Sequence, residues 1–162
     1  MKSRVKTRTK VVNTTVSVSI RAPIDSVFAH VTAPESIPRW LPRAVRAWYT
    51  PDELPTVGNV LHVATSIRGT RRETEWQFVV TQFDPGRSMS FEGKRWPFEF
   101  QNTLRLRPDA AATRLRYELQ VSAKEWGARL LVRLVARSFT RRLAGELRAA
   151  KTQLERSSGI SG

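Results

Sequence analysis

The chain has 162 residues, 40% of them hydrophobic, enough for one domain around one core without disulfides or metals. It contains no cysteine, which excludes a disulfide framework, a thiol nucleophile and Cys-based zinc sites and fits a reducing cytoplasm. Its net charge of +14, from 28 Lys/Arg against 14 Asp/Glu, favours anionic partners: nucleic acid, anionic membrane or acidic ligands.

The charge is concentrated at the two ends. Met1 to Lys10 carries Lys2, Arg4, Lys6, Arg8 and Lys10 and no acid. No apolar core follows to make a signal peptide, because Asn13, Thr14 and Thr15 interrupt it. In Val12 to Ile20 the apolar residues Val12, Val16, Val18 and Ile20 share one parity, which predicts a strand. The basic residues use the same parity, so a strand with a buried even face cannot run through both. Residues 1–11 are therefore expected to be a basic flexible tail.

Pro23 suits the first turn of a helix, with Asp25 at its positive end. Ile24, Val27, Phe28 and Val31 have helical spacing, and Pro34 ends the run. A second short helix is expected over Glu35 to Leu41. Alternation then predicts strands over Arg43–Thr50 (Val45, Ala47, Tyr49 on one face), Asn59–Ile67, Arg71–Phe83 (Trp76, Phe78, Val80) and Arg87–Gly93 (Met89, Phe91). Two cleanly alternating strands follow. Phe98–Arg107 puts Phe100, Asn102 and Leu104 on one face, and Thr113–Ala123 does the same with Leu115, Tyr117 and Leu119. Asp84-Pro85-Gly86 is a strong turn signal. Consecutive alternating strands joined by short turns describe an antiparallel meander with one wet face.

A long helix closes the chain, roughly Glu125 to Arg156. Leu131, Leu134, Val135, Phe139, Leu143, Leu147, Ala150 and Leu154 form its expected apolar stripe, and Arg129, Arg133, Arg137 and Arg141 a basic ridge. Residues 157–162 read as a polar tail, leaving 12–156 as one domain. The fold class is thus α+β, an antiparallel sheet of about seven strands wrapped around the C-terminal helix, with two short helices after strand 1.

This order of parts resembles the START-like (SRPBCC) superfamily, and within it the polyketide cyclase/dehydrase and lipid-transport group. The residues that carry the likeness are Ile20 to Phe28, Trp40-Leu41-Pro42, Gly58 opening a strand, Trp76 to Phe83 with Asp84-Pro85, and the closing helix. It spans Val12 to Glu155. The resemblance implies a helix-grip fold with a cavity between the sheet and the last helix. Members bind varied hydrophobic ligands, and some catalyse cyclisation or dehydration. They share no catalytic motif, so the resemblance assigns no catalytic residue.

The cavity candidates are Phe28, Trp40, Trp76, Phe91, Phe100, Asn102, Tyr117, Leu131, Val135 and Phe139. Asn102 and Tyr117 are polar groups on faces that should be buried, and each needs a hydrogen-bond partner, whether side chain, water or ligand. If chemistry occurs, these two are its candidates. Trp40 and Trp96, beside prolines, are candidates for an entrance. Glu73 and Glu75 share one strand face, with the solvent face the favoured reading over an acid/base pair. His30 is expected on a helix surface and His62 exposed on a strand, and no third or fourth ligand accompanies them to make a metal site. There is no Gly-x-Ser-x-Gly and no phosphate-binding glycine loop. No cofactor is implied.

Arg129, Arg133, Arg137 and Arg141 form either a solvated face or a surface for anionic lipid, with nucleic acid the least favoured partner. The favoured function is binding of a hydrophobic small molecule (lipid, polyketide or related metabolite) as carrier or as cyclase/dehydrase. The alternative is a basic module docking on anionic membrane or nucleic acid without catalysis. The expected location is cytoplasmic, peripheral on a membrane if the ridge docks there.

Overall fold

A computed structural model describes residues 8–41, 43–51 and 54–159. Strand β1 (Lys10–Ile20) is followed by helices α1 (Ile24–Thr32) and α2 (Ile37–Trp40). Six strands come next: β2 (Ala44–Thr50), β3 (Val60–Ser66), β4 (Glu73–Asp84), β5 (Ser88–Arg95), β6 (Phe98–Asp109) and β7 (Ala112–Ala123). The chain closes with α3 (Trp126–Ser157). All neighbours in the seven-stranded sheet are antiparallel, in the order β1-β7-β6-β5-β4-β3-β2. The expected α+β helix-grip fold is what the protein adopts.

The local reasons are visible at the joints. Pro23 holds φ at −59° and opens α1. At its other end Ala33 is extended (ψ 129°), as the residue before Pro34 must be, and the helix stops. Tyr49 of β2 donates its hydroxyl to the Thr32 carbonyl at 2.9 Å, tying the sheet edge to α1. Gly86, at φ 73°, supplies the left-handed residue of the turn between β4 and β5. Gly93 faces Phe78 across β4 and β5, and a Cβ there would stand 2.5 Å from the ring. The missing side chain is what lets Phe78 lie across the sheet.

The even face of β1 turns inward as expected, but the strand starts earlier than expected. Lys10 is half-buried at its first position, paired with Ala123. A long side chain can reach water from the last rung of a sheet, so its charge does not break the pattern. The first seven residues of the expected tail lie outside the described residues, as do the last three of the polar tail, residues 160–162. A bulge between Ala44 and Arg46 shifts the parity of β2, leaving Val45 exposed while Ala44 and Tyr49 are buried.

The helix α3 corrects the expected stripe. Leu143, Leu147, Ala150 and Leu154 are buried, but in the first half the buried row is Ala128, Val132 and Ala136. Leu131 and Leu134 are 51% and 64% exposed. Small residues let the helix approach β1 and β7, where Thr140 donates a hydrogen bond to Thr14 at 2.8 Å. The neighbouring row of leucines is rotated away by the helical pitch.

Candidate ligand cavity

The concave face of the sheet and α3 enclose a cavity of about 540 Å³. Its wall is aromatic, and Trp76 stands at the centre. The Trp76 ring is edge-on to Phe100 at 5.9 Å and to Phe139 of α3 at 6.3 Å, and parallel to Phe78 at 6.2 Å. Phe78 is in turn edge-on to Phe91 at 5.4 Å, and Phe91 to Tyr117 at 6.4 Å. Inward parity on β4, β5, β6 and β7 brings these rings together from four strands.

One corner of the cavity is polar. Tyr117 donates its hydroxyl to Asn102 Oδ1 at 2.7 Å, and Asn102 Nδ2 reaches the Phe91 carbonyl at 3.5 Å. The Tyr117 hydroxyl is pushed well above the usual tyrosine range, first by burial and then by the charge of Glu146. Glu146, from α3, is 9% exposed, lines the cavity and has no hydrogen-bond partner among the described residues. Burial raises its carboxyl above the ordinary range, while the guanidiniums of Arg142 and Arg43 pull in the opposite direction. Trp40 also lines the cavity, with its indole N–H buried and unpartnered among the described residues. A hydroxyl, a carboxamide and a carboxyl held toward its neutral form can together grip or polarise a ligand carbonyl or hydroxyl.

Seven of the ten expected cavity residues line it: Trp40, Trp76, Phe91, Phe100, Asn102, Tyr117 and Phe139. The other three stand elsewhere. Phe28 is buried against Phe83, ring centres 5.8 Å apart, behind the cavity rather than in it. Leu131 is exposed and Val135 only partly buried, because the row of α3 that faces the void passes through Phe139, Leu143 and Glu146. Of the basic ridge, Arg133, Arg137 and Arg141 are exposed, whereas Arg129 is half-buried with its Nε unpartnered among the described residues. The expected entrance pair separates, since Trp40 is buried and Trp96 is 83% exposed at the turn between β5 and β6.

Glu146 and four arginines outside the expected set also line the cavity: Arg43, Arg68, Arg95 and Arg142. Glu146 did carry a signal. It lies three residues after Leu143 and four before Ala150, so it is an acid on the apolar row. The arginines sit in separate segments and share no pattern.

On the outer face of the sheet, His62 is not exposed. Its side chain is 14% accessible, stacked on Trp48 at 5.0 Å. Its Nδ1 lies 2.7 Å from Glu75 and its Nε2 lies 2.8 Å from the Thr50 hydroxyl. Hydrogen bonds from His62 and Gln77 lower the Glu75 carboxyl. Thr50, His62 and Glu75 line neither of the protein's described hollows, so the relay is a surface network. Glu73 lies on the same outer face, 3.4 Å from Arg46. His30 is half-buried between α1 and α3, 3.1 Å from Gln153, and burial lowers its pKa. No group of three or more metal-binding side chains occurs among the described residues.

A family model described as polyketide cyclase/dehydrase and lipid transport matches residues 11–155. The chain belongs to this family. No curated protein matches it in sequence. Among solved structures, the polyketide cyclase/dehydrase family member is similar to Ara h 8.0201 (TM-score 0.72, 11% identity, 89% of this chain and 97% of that one). It also resembles the di-domain ARO/CYC StfQ from the steffimycin biosynthetic pathway (TM-score 0.75, 15% identity, 93% of this chain and 53% of that one). Ginseng major latex-like protein 151 from Panax ginseng is a third (TM-score 0.65, 13% identity, 89% and 97%). At identities this low the structural likeness shows the shared fold alone. Family and fold are consistent with hydrophobic ligand binding or with polyketide cyclase/dehydrase activity.

The buried carboxyl yields a pH prediction. The folded Glu146 holds its proton to higher pH than the ordinary 4.5. As pH rises past that value the unfolded chain releases its proton first, so folding loses stability until the folded group ionises too. Glu146→Gln removes this loss. Calorimetric Tm values for variant and parent are expected to diverge in the variant's favour from about pH 4 upward. A difference independent of pH contradicts the assignment.

Proposed function

We propose that the protein binds a hydrophobic small molecule (a lipid, polyketide or related metabolite) in this cavity. The observation that carries the reading is the aromatic cavity with one polar corner, Tyr117, Asn102 and Glu146. An apolar wall with a few placed polar groups is the usual composition of a small-molecule site. As a carrier, the protein uses the corner to orient its cargo. As a cyclase or dehydrase, it folds a flexible chain against the aromatic wall while protonated Glu146, or Tyr117 with its hydroxyl turned from Asn102 to the ligand, donates a hydrogen bond to a carbonyl that gains negative charge. Tyr117 and Asn102 remain the catalytic candidates, joined by Glu146.

Two substitutions at the wall test this. Val63→Phe and Ala44→Leu add volume to lining positions. Each is expected to weaken binding of the neutral fluorophore N-phenyl-1-naphthylamine about tenfold or more while thermal stability stays near the parent's. Undiminished binding in both variants contradicts the cavity as the site. Tyr117→Phe is expected to retain the fluorophore, because the wall is intact, and to lose any turnover.

A second reading, in which the protein also rests on an anionic membrane, is favoured by the outer face of α3. Trp126, Leu130, Leu131 and Leu134 are 76%, 69%, 51% and 64% exposed. From Trp126 to Gly145 the helix carries five arginines and no acid. Exposed Trp and Leu interleaved with Arg suit the headgroup region of an anionic bilayer. No helix among the described residues is long and apolar enough to cross a membrane. Co-sedimentation at low salt is expected with phosphatidylglycerol-containing vesicles and not with pure phosphatidylcholine, and to fall in the double variant Leu130→Ser/Leu134→Ser. Equal binding to both vesicle types, or a parent-like double variant, contradicts this reading. Capture of nucleic acid instead would assign the arginines to that partner.

A further inference from the structure

Four arginines line the cavity, from four separate parts of the chain. Arg43 follows α2, Arg68 lies in the turn between β3 and β4, Arg95 ends β5, and Arg142 is in the middle of α3. All four are exposed, so they mark the side on which the cavity opens to solvent. None forms an ion pair or a side-chain hydrogen bond among the described residues. The contrast with the outer face of the sheet is direct. There Arg46 meets Glu73 at 3.4 Å, Arg114 meets Asp109 at 3.0 Å and Arg116 meets Glu118 at 2.9 Å. The one acid that lines the cavity, Glu146, is buried, and burial shifts it toward its neutral form while Arg142 and Arg43 pull the other way without reaching ion-pair distance.

Two of the four are held against the aromatic wall. The Arg95 guanidinium carbon lies 4.3 Å from the centre of the Trp76 ring, and that of Arg142 lies 5.8 Å from Phe139. Such contacts fix a planar guanidinium and leave its N–H edges free. A guanidinium presents paired donors whose geometry matches a carboxylate or phosphate. Low-dielectric walls around one sign of charge also focus the field at the opening.

From this arrangement we infer that the ligand is an amphiphile: its anionic head, a carboxylate or phosphate, sits among Arg43, Arg68, Arg95 and Arg142, and its apolar body fills the cavity. The inference rests on the cavity reading and narrows it. It gives the bound molecule an orientation, tail toward the Tyr117–Asn102 corner, head at the opening where Arg95 lies over Trp76.

Isothermal titration calorimetry on the full chain at low salt tests it with three probes of equal tail: decanoate, decyl phosphate and decanol. At least one of the two anions is expected to bind about tenfold or more tightly than decanol. Arg95→Gln/Arg142→Gln and, independently, Arg43→Gln/Arg68→Gln are expected to narrow that gap by weakening the anions several-fold more than decanol. The tighter anion identifies the head as a free acid or a phosphate ester. Equal affinity for all three probes, or an anion preference that survives both double variants, overturns the anionic head and leaves the cavity standing. Failure of all three to bind overturns the cavity reading and this inference with it.

Discussion

One helix cannot cover seven strands. A helix is about 10 Å across with its side chains, whereas strands spaced about 4.8 Å apart make this sheet roughly three times as wide. The protein resolves the mismatch unevenly. At β1 and β7 the helix α3 comes close, through Ala128, Val132 and Ala136 and the Thr140–Thr14 hydrogen bond. Over β3 to β6 no element can follow it down. That gap is only partly closed by large rings, from Trp76, Phe78, Phe91 and Phe100 below and Phe139 above. What they leave unfilled is the cavity.

The chemistry follows from the same gap. Side chains around it have lost water on one side without gaining a full set of protein partners. Tyr117 and Asn102 satisfy one another, whereas Glu146 lines the space and the Trp40 indole N–H is buried, both unpaired among the described residues. Burial shifts such a carboxyl toward its neutral form, here against the pull of Arg142 and Arg43. At the opening, where water returns, four guanidiniums stand without an ion pair among the described residues. The cavity is therefore graded from an apolar floor with a buried polar corner to a cationic rim. That gradient is the basis for reading the ligand as a molecule with two unlike ends.

Much of the fold was legible because strand parity repeats at every second residue. Val12 to Ile20, Phe98 to Leu106 and Leu115 to Val121 each state which face is inward, and the turn at Asp84-Pro85-Gly86 states where the sheet reverses. The face of α3 was less legible. Leu131–Leu134–Val135 and Ala128–Val132–Ala136 both fit spacings of three and four, and only contact with β1 and β7 selects the second row. Val45 failed for a related reason, since a bulge changes parity without a marker in composition. Glu146 was readable in principle as an acid on an apolar row. The arginine rim was not, because residues 43, 68, 95 and 142 become neighbours of one opening only when the sheet has curled.

The central claim is that the cavity holds a small molecule, and it is tested most directly by mass spectrometry of the purified protein, first native and then denatured. The account predicts a mass excess in the native spectrum that disappears on denaturation and belongs to an apolar molecule bearing an acidic group. A native mass equal to the bare chain, in preparations that also fail to take up added hydrophobic ligands, would contradict it.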